Sequence, residues 1–237
     1  MNVYKKKLFA QSPDLLKDIV QWDVYTWSKA ILFWEENVNW NDVQNGLELG
    51  GHQGGLSLWL AMKGIDVVCS DLKDVKLTAL KLHEKYPLIK SIQYEDIDAT
   101  NIHYENHFDV IVFKSILGGI GRDNNCAAQK IVIDQVYKAL KPGGKLLFAE
   151  NAKGSRLLQW LRKKFVGWGS SWNYLSADEM QQLLKLFSSF EIKSTGVIAA
   201  FGNNESLRRV LATIDNKVLN YFFSHRFKYV LYGYAQK

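Results

Sequence analysis

The chain has 237 residues, of which 47% are hydrophobic and 23% charged, an ordinary composition for a globular protein. No apolar stretch approaches the ~20 residues that a membrane-spanning helix needs, and the apolar stretch after the lysines at 5–7 is too short for a signal peptide, because Pro13 and Asp14 interrupt it. Cys69 and Cys126 cannot form a disulfide framework, so we expect a cytoplasmic protein with reduced thiols.

The net charge of +6 admits three kinds of partner, namely nucleic acid, an anionic membrane surface and an acidic substrate. The basic residues are mostly scattered along the chain, which favours simple solubility over any of the three. The sequence contains no CxxC and no HExxH motif, and we therefore predict no metal site.

The first predicted elements are helices. Ser12, Pro13 and Asp14 are typical of a helix start, with Ser12 as the cap. Apolar residues then recur at nearly helical spacing, which predicts one or two helices over 13–38. A polar connector at 38–46 follows.

Predicted strands and helices alternate between residues 46 and 150. The strands are 46–50, 65–71, 91–97, 108–115 and 145–150, the helices are 55–64, 73–86 and 124–140, and a KPGG turn lies at 141–144. This alternation predicts a parallel sheet that is covered by helices on both faces.

The pattern changes after residue 150. Helices are predicted at 155–169, at 176–187 with Ser176 as cap, and at 205–223, and strands at 190–201 and 226–237. Because no repeat, low-complexity tract or linker interrupts the chain, we predict one domain with helical additions.

The turn after the first predicted strand lies within GLELGGHQGG (46–55) and is the predicted ligand site, since ligands of open parallel sheets bind beyond the carboxyl ends of the strands. Gly50 and Gly55 have the spacing of a dinucleotide-binding loop, but His52 replaces its middle glycine, where a side chain crowds a pyrophosphate. Asp71, 21 residues after Gly50, suits the ribose of either NAD(P) or S-adenosylmethionine. S-adenosylmethionine carries no pyrophosphate, so His52 favours it.

Five segments, in this order, resemble the motifs of the class I S-adenosylmethionine-dependent methyltransferases. They are LELGGHQGG with its acid and glycine-rich turn, VVCSDL with its terminal acid, DATNI (98–102), FDVIVFKS and LKPGGKLLFAE. Together they cover roughly residues 45–150, and His52 is the departure, because many family members have glycine there.

The resemblance implies an α/β fold, with a doubly wound, mostly parallel seven-stranded sheet and helical additions. In that family the last two strands form an antiparallel pair at the sheet edge, and the final strand lies between its neighbours. A single domain over 1–237 is implied, with a helical cap at 13–40, a cofactor-binding core at 45–150, substrate-side insertions and a late strand at 151–225, and the final strand at 226–237.

The resemblance also implies roles for the residues of the first turn. Glu48 helps to hold the methionine amino group of the cofactor, although an acid here also suits the start of the next helix. Gly50, Gly51 and Gly54 allow the turn to form and the backbone to meet the cofactor. His52 belongs to the same loop contact.

The ribose and adenine of the cofactor are expected at the ends of the next two strands. Asp71 accepts hydrogen bonds from the ribose hydroxyls, next to Leu72, with a mere helix cap as the alternative role of Asp71. Asp98 and Ala99 frame the adenine edge, and Asp96 is a rival for the place of Asp98.

Methyl transfer from a sulfonium mainly needs alignment and exclusion of water, and a base is needed only if the acceptor must lose a proton. Lys114 ends a strand, so its backbone is expected to line the methionine pocket and its side chain could touch the substrate. His52 and Glu150 are weak candidates for the base, and His225 is weaker still. The catalytic residue is left unassigned, and Asp109 is interpreted as structural.

The acceptor pocket is expected from four variable segments that are rich in tryptophan and tyrosine, 13–40, 116–123, 151–175 and 202–225. Aromatic walls suit a sugar ring, a planar molecule or a lipid, and they also suit a plain core.

The segment 155–169 has one apolar face, formed by Leu157, Leu161, Phe165 and Trp168, with basic residues mostly elsewhere. It either rests on an anionic membrane and meets a lipid-linked substrate, or covers the active site or packs on the sheet.

A tryptophan-bearing helix before the first strand, WNYLSADE and the terminal YVLYGYAQK give a looser resemblance to small-molecule methyltransferases of bacterial surface-polysaccharide or natural-product pathways. The leading acceptor is therefore the hydroxyl of a carbohydrate or lipid-linked carbohydrate. The alternatives are a natural product, a lipid, RNA, or a non-catalytic cofactor-binding protein. RNA is disfavoured because the chain has no aromatic RNA-reading motif.

Overall fold

The computed structural model describes residues 13–87, 91–167 and 169–237. Its helices are α1 (Pro13–Val20), α2 (Val24–Asn37), α3 (Gly55–Ala61), α4 (Val75–His83), α5 (Leu117–Ile120), α6 (Cys126–Ala139), α7 (Arg156–Phe165), α8 (Ala177–Leu183), α9 (Glu205–Ile214) and α10 (Asn220–Phe222). Its strands are β1 (Asn45–Leu49), β2 (Asp66–Asp71), β3 (Ile92–Asp96), β4 (Phe108–Lys114), β5 (Leu140–Asn151), β6 (Ser189–Thr195) and β7 (Val230–Gln236).

The seven strands form one sheet in the order β3-β2-β1-β4-β5-β7-β6. All neighbours are parallel except β7, which runs antiparallel to both β5 and β6. The predicted fold class is therefore confirmed, including the insertion of the final strand between its neighbours. The strand order reverses between β1 and β4, so the loops after these strands meet where α/β sheets bind ligands.

Apolar cores cover the two faces of the sheet, and β4 contributes to both. Val110 and Val112 pack with α1–α3, whereas Ile111 and Phe113 pack with α6, as the two-residue repeat of a strand requires. In the core that includes α1–α3, the indole of Trp34 donates a hydrogen bond to the carbonyl of Gly233 at 2.8 Å. This bond connects α2 to β7.

Two predicted boundaries near the amino end differ in the structure. The segment 13–38 forms two helices, because Gln21 and Asp23 have positive φ angles of 73° and 43° that break the helical path. The predicted cap Ser12 lies outside the described residues. The predicted turn at 141–144 is an irregularity inside β5, since Leu140 pairs with Phe108 and the next pair joins Lys145 to Val110.

The carboxyl-terminal elements are shorter than predicted. The strand predicted at 190–201 ends at Thr195, the helix predicted at 155–169 ends at Phe165, and the final strand begins at Val230. The helix predicted at 205–223 is present but contains a π-helical turn at Asp215–Leu219. Ser176 caps α8 as predicted and forms a capping box with Glu179. None of the helices in the described parts of the chain is long and apolar enough to cross a bilayer.

Candidate active site

The glycine-rich loop after β1 depends on residues with positive φ. Gly50 has a φ of +63°, and a Cβ atom there would lie 2.4 Å from the Cγ2 atom of Ile116. His52 also has a positive φ of 50°, a conformation that glycine adopts more readily. Its backbone N–H donates to Oδ2 of Asp71 at 2.8 Å, and its imidazole is exposed. The histidine thus keeps the backbone conformation that favours glycine at this position.

Gly54 packs against protein. A Cβ atom on it would lie 2.5 Å from Nε2 of His83, and that nitrogen bonds the carbonyl of Gly54 at 2.8 Å. The other ring nitrogen of His83 bonds the hydroxyl of Tyr94, and burial lowers the pKa of the ring. The structure therefore gives Gly54 a role in holding α4 against the loop and does not bring it to the cavity described below.

Glu48 is buried beneath the loop, at the start of α3. Its two carboxylate oxygens accept hydrogen bonds from the backbone N–H groups of Leu56, at 3.2 Å, and Ser57, at 2.7 Å. Burial raises the pKa of Glu48 to about 7, against the lowering effect of these bonds and of Lys114. The helix-start interpretation of Glu48 is thus realised in the structure, and the same side chain also lines a cavity.

Asp71, at the end of β2, binds the glycine loop. Oδ2 accepts from His52 N–H, and Oδ1 accepts from Leu72 N–H at 2.7 Å. The start of α4 is instead bonded by Asp96, whose carboxylate accepts from the N–H groups of Asp74 and Val75. The helix-cap role considered for Asp71 therefore belongs to Asp96.

The carboxylate of Asp98 is exposed after β3, and its Oδ1 accepts from Thr100 N–H at 2.8 Å. Ala99 beside it is half-buried, and Leu72 at the end of β2 is 59% exposed. Because Asp96 is committed to α4, Asp98 is the freer of the two carboxylates for an adenine.

A cavity of ≈510 Å³ lies between the glycine loop, the end of α1 and the end of β4. We call it the glycine-loop cavity. Among the predicted site residues it brings together Glu48, Gly50, Gly51, His52 and Lys114. The other predicted residues, Gly54, Asp71, Leu72, Asp96, Asp98 and Ala99, are not among its lining residues, although Asp71 is joined to it through His52 N–H.

Lys114 places a buried ammonium group beside this cavity. Nζ lies over the ring of Trp22, and within the described residues it has no hydrogen-bond partner. Burial holds the pKa of Lys114 well below its usual range, although Glu48, Glu150 and Asp23 oppose this effect. Buried polar groups are normally hydrogen-bonded, so Lys114 marks a position at which a ligand can supply the acceptor.

A second cavity, of ≈850 Å³, adjoins the first, and Trp22 and Ser115 line both. We call it the acceptor cavity. Its aromatic lining residues are Trp22, Trp27, Phe165, Trp172, Tyr174, Phe201 and Tyr229. Ser115 has a positive φ of 60° and accepts a hydrogen bond from the amide of Asn151 at 2.6 Å. A non-glycine residue held in this region of φ is frequent at functional sites.

Asp23 lines the acceptor cavity and was not singled out by the sequence. It lies between α1 and α2 and is 4% exposed. Oδ2 accepts from the hydroxyl of Tyr229 at 2.6 Å, whereas Oδ1 has no hydrogen-bond partner among the described residues. Burial raises the pKa of Asp23 to about 6, while bonds from Tyr229 and Thr26 lower it. The one sequence feature that could have indicated Asp23 is its position as an acid between the two tryptophans of QWDVYTW (21–27).

None of the three base candidates is among the residues that line the acceptor cavity. His52 lines the glycine-loop cavity. Glu150 is fully buried, its Oε1 accepts from the N–H groups of Ile116 and Leu117 at 2.8 Å each, and burial raises its pKa to about 7. His225 bonds Ser194 and lines a separate cavity of ≈200 Å³.

One face of α7 covers the acceptor cavity, as one of the two predicted arrangements for 155–169 requires. Leu158, Leu161, Arg162 and Phe165 line the cavity. The guanidinium of Arg162 donates to the carbonyl of Ala152 at 2.6 Å. Trp168, predicted on the same face, lies outside the described residues.

Residues 47–146 match the family model described as "Methyltransferase domain". The core of this chain is a methyltransferase domain. The family predicted from the five motifs is therefore confirmed for this core, and the sheet order is that of the class I fold. No curated protein sequence matches the chain.

Solved structures are similar to the whole fold around the methyltransferase domain. Phosphoethanolamine N-methyltransferase 2 of Haemonchus contortus, in complex with phosphomonomethylethanolamine and S-adenosylhomocysteine, has a TM-score of 0.61 at 18% identity, and the match covers 89% of this chain. The chain spans about half of that enzyme, 52% of its length.

Two further structures match over most of both chains. The N-methyltransferase NodS of Bradyrhizobium japonicum WM9, in complex with S-adenosylhomocysteine, has a TM-score of 0.59 at 16% identity, covering 94% of this chain and 96% of NodS. The cyclase SpnF has a TM-score of 0.58 at 16% identity, covering 88% and 79%. At these identities the likeness establishes the fold alone.

Proposed function

We propose that this protein is an S-adenosylmethionine-dependent methyltransferase of a small molecule, with the hydroxyl of a carbohydrate or lipid-linked carbohydrate as its leading acceptor. The observation that carries the proposal is the pair of adjoining cavities that share Trp22 and Ser115. One of them holds the glycine loop of a methyltransferase domain and the other has aromatic walls. A methyl group at their junction would be in reach of an acceptor and screened from water.

The residues of the glycine-loop cavity fit the cofactor. When bound, S-adenosylmethionine supplies an activated methyl group on a sulfonium. The buried ammonium of Lys114 suits the carboxylate of its methionine end, and Glu48 suits the amino group. Asp71 would accept from the ribose hydroxyls beside Leu72, and Asp98 and Ala99 would flank the adenine.

Asp23 is the proposed proton acceptor for a hydroxyl substrate. Asp23 lines the cavity, and its buried Oδ1 has no hydrogen-bond partner among the described residues. As the acceptor oxygen forms its bond to the methyl group and the carbon–sulfur bond breaks, the hydroxyl proton passes to this oxygen once the substrate reaches it. Tyr229 holds the opposite oxygen and thereby positions the carboxylate. Aromatic walls such as Trp27 and Trp172 suit the apolar face of a sugar ring.

An amine acceptor is the second candidate, and the same carboxylate favours it. A buried aspartate with one oxygen left unpaired by the described residues can bind an ammonium group before the amine loses its proton. Two of the similar structures, the Haemonchus contortus enzyme and NodS, are N-methyltransferases by name. Natural-product and lipid acceptors fit the same aromatic walls.

The test is transfer of an isotopically labelled methyl group from S-adenosylmethionine to a panel of free sugars, lipid-linked sugars and amines. The proposal predicts label in an ether on a sugar, and loss of that label with Asp23→Asn. Label on nitrogen would support the amine acceptor instead. Cofactor binding without transfer to any member of a broad panel would favour a non-catalytic member of the fold.

Peripheral membrane contact through 155–169 is part of this proposal, because a lipid-linked acceptor must be reached at a bilayer. While one face of α7 lines the acceptor cavity, Leu157 and Trp160 on the helix remain 59% and 54% exposed. The last basic turn of α7 includes Lys163 and Lys164, which are exposed as well.

A further inference from the structure

A second segment of the chain exposes an apolar stripe. On α9, the π-helical turn and α10, apolar side chains recur every three or four residues and therefore share one face of the helix. These exposed side chains are Leu207, Val210, Ile214, Val218, Tyr221 and Phe222. Tyr221 and Phe222 are 81% and 82% exposed, so these two large aromatic side chains are hardly buried by the described part of the chain.

α7 and the helix that carries the stripe both contribute residues to the acceptor cavity. Phe165 on α7 lines the acceptor cavity and is 69% exposed, and Phe201, just before α9, lines it and is 39% exposed. Arg208 on α9 lines the cavity as well. Residues of both amphipathic segments, 156–165 and 205–227, therefore line the acceptor cavity.

The positive charge of the protein is concentrated in these two segments. They hold eight of the 30 lysines and arginines and two of the 24 acids, so that the rest of the chain has 22 of each and no net charge. Both acids are engaged: Glu205 accepts from the N–H groups of Asp23 and Val24, and Asp215 is buried. The exposed basic residues are Arg156, Lys163, Lys164, Arg209, Lys217 and Arg226.

We propose that the segments 156–165 and 205–227 form one docking surface for an anionic lipid bilayer, with the acceptor cavity opening towards the lipid. Apolar side chains enter the boundary between headgroups and acyl chains, and lysines and arginines bind lipid phosphates. The excess of six positive charges on the two segments that carry these apolar side chains is complementary to an anionic lipid surface. Binding to the bilayer does not depend on methyl transfer, and only the delivery of an acceptor from the lipid rests on the proposed function.

The experiment is co-sedimentation of the full chain with vesicles, without cofactor or acceptor. Vesicles of phosphatidylcholine alone are compared with vesicles of phosphatidylcholine and phosphatidylglycerol in equal amounts. We expect binding to the anionic vesicles that weakens as salt is raised. Phe222→Ser should weaken it severalfold, and Lys163→Glu with Lys164→Glu should weaken it by about tenfold or more, since each basic residue near such a surface contributes about 1 kcal/mol.

Matched controls come from α4, whose Leu77 is 80% exposed between the exposed Lys76 and Lys81. Leu77→Ser, and Lys76→Glu with Lys81→Glu, should leave vesicle binding unchanged. The inference is overturned if the wild-type protein ignores anionic vesicles, or if Phe222→Ser and Leu77→Ser behave alike. It is also overturned if analytical ultracentrifugation shows a dimer that Phe222→Ser dissociates, because the stripe would then be an interface between two copies.

Methyl transfer to a soluble acceptor without vesicle binding would contradict this inference and the membrane contact proposed for 155–169, and it would leave the proposed methyl transfer standing. Vesicle binding without methyl transfer to any acceptor would contradict the proposed function alone.

Discussion

Asp23 is the buried acid that we propose as the proton acceptor. Its charged and titratable neighbours are Tyr229, Arg208, Glu205 and Lys114. Burial raises the pKa of Asp23 to about 6, so that the carboxylate form dominates above that pH while its affinity for a proton is greater than that of an ordinary aspartate. A base that titrates near the working pH is what general base catalysis requires.

If Asp23 is the base, activity rises with pH through the pKa of Asp23. Asp23→Asn should lower kcat by about 10²- to 10⁴-fold, with little change in cofactor affinity. Tyr229→Phe removes a hydrogen bond that stabilises the carboxylate, so the acid limb of the profile should move to higher pH while activity at high pH is largely retained. A pH–rate profile measures both effects. Full activity of Asp23→Asn, or an unshifted limb in Tyr229→Phe, would contradict this role.

Glu150 offers a prediction about stability. Its folded-state pKa of about 7 exceeds the ordinary value of 4.5, because the carboxyl group is completely buried. The unfolded chain therefore releases this proton at lower pH than the folded protein does, and the contribution of Glu150 to stability falls as pH rises from about 4.5 to about 7.

Glu150→Gln should remove this fall, because a neutral amide oxygen can still accept from Ile116 and Leu117 N–H. Relative to wild type, the variant should gain up to about 3 kcal/mol of unfolding free energy between pH 5 and pH 8. Urea unfolding at the two pH values measures the gain. Glu150→Ala, which leaves the two donors unpaired, should be destabilised at both. An equal pH trend in wild type and Glu150→Gln would show that the carboxyl group is not buried as described.

At the scale of elements, the π-helical turn after α9 shows why local structure departs from the simple helical pattern. The turn carries Asp215, whose carboxylate accepts from the N–H groups of Val197, Ile198 and Ala199 after β6. These bonds hold the connection that leads to Phe201 at the acceptor cavity. Helical periodicity predicted this helix, but nothing local indicates the extra residue in the turn, because its partners lie 16–18 residues away.

Asp215→Ala should destabilise the protein by at least about 3 kcal/mol, since three backbone donors lose their acceptor at about 1 kcal/mol or more each. Asp215→Asn retains one oxygen and should cost less. Asp134→Ala, which breaks an exposed ion pair with Lys130 on α6, should change stability by about 0.5 kcal/mol or less. Thermal or urea unfolding separates the three variants, and a loss for Asp215→Ala no greater than for Asp134→Ala would contradict the role given to the turn.

The strands of the methyltransferase domain were predictable because their signals are local. The buried apolar run of β4 predicted 108–115 for an observed Phe108–Lys114, and β2 was predicted at 65–71 for an observed Asp66–Asp71. The role of Asp23 was not predictable, because its burial and its bond depend on Tyr229, 206 residues away in the chain. Likewise, the sequence does not distinguish Gly54 from Gly50 and Gly51, which line the glycine-loop cavity. The difference is the packing of Gly54 on His83, which only the folded structure shows.

At the scale of the whole molecule, two cavities adjoin at the carboxyl end of β4, where Trp22 and Ser115 line both, and α7 and α9 contribute residues to the larger one. The net charge of +6, interpreted from the scattered basic positions as solubility, equals the net charge of the segments 156–165 and 205–227, from which Arg162 and Arg208 line the larger cavity. The fold brings residues of the proposed cofactor site, acceptor site and docking surface, which are separate along the sequence, to the two adjoining cavities.

The most direct test of the cofactor site is calorimetric titration with S-adenosylhomocysteine and with NADH. Both ligands are titrated into the wild-type protein and Asp71→Ala. Asp66→Ala, at the opposite end of β2, is the control. We expect S-adenosylhomocysteine to bind the wild-type and Asp66→Ala proteins alike, and Asp71→Ala about tenfold or more weakly, because charge-assisted hydrogen bonds to the ribose are lost. NADH should not bind. Absence of S-adenosylhomocysteine binding, or equal affinity in Asp71→Ala, would contradict the proposed site.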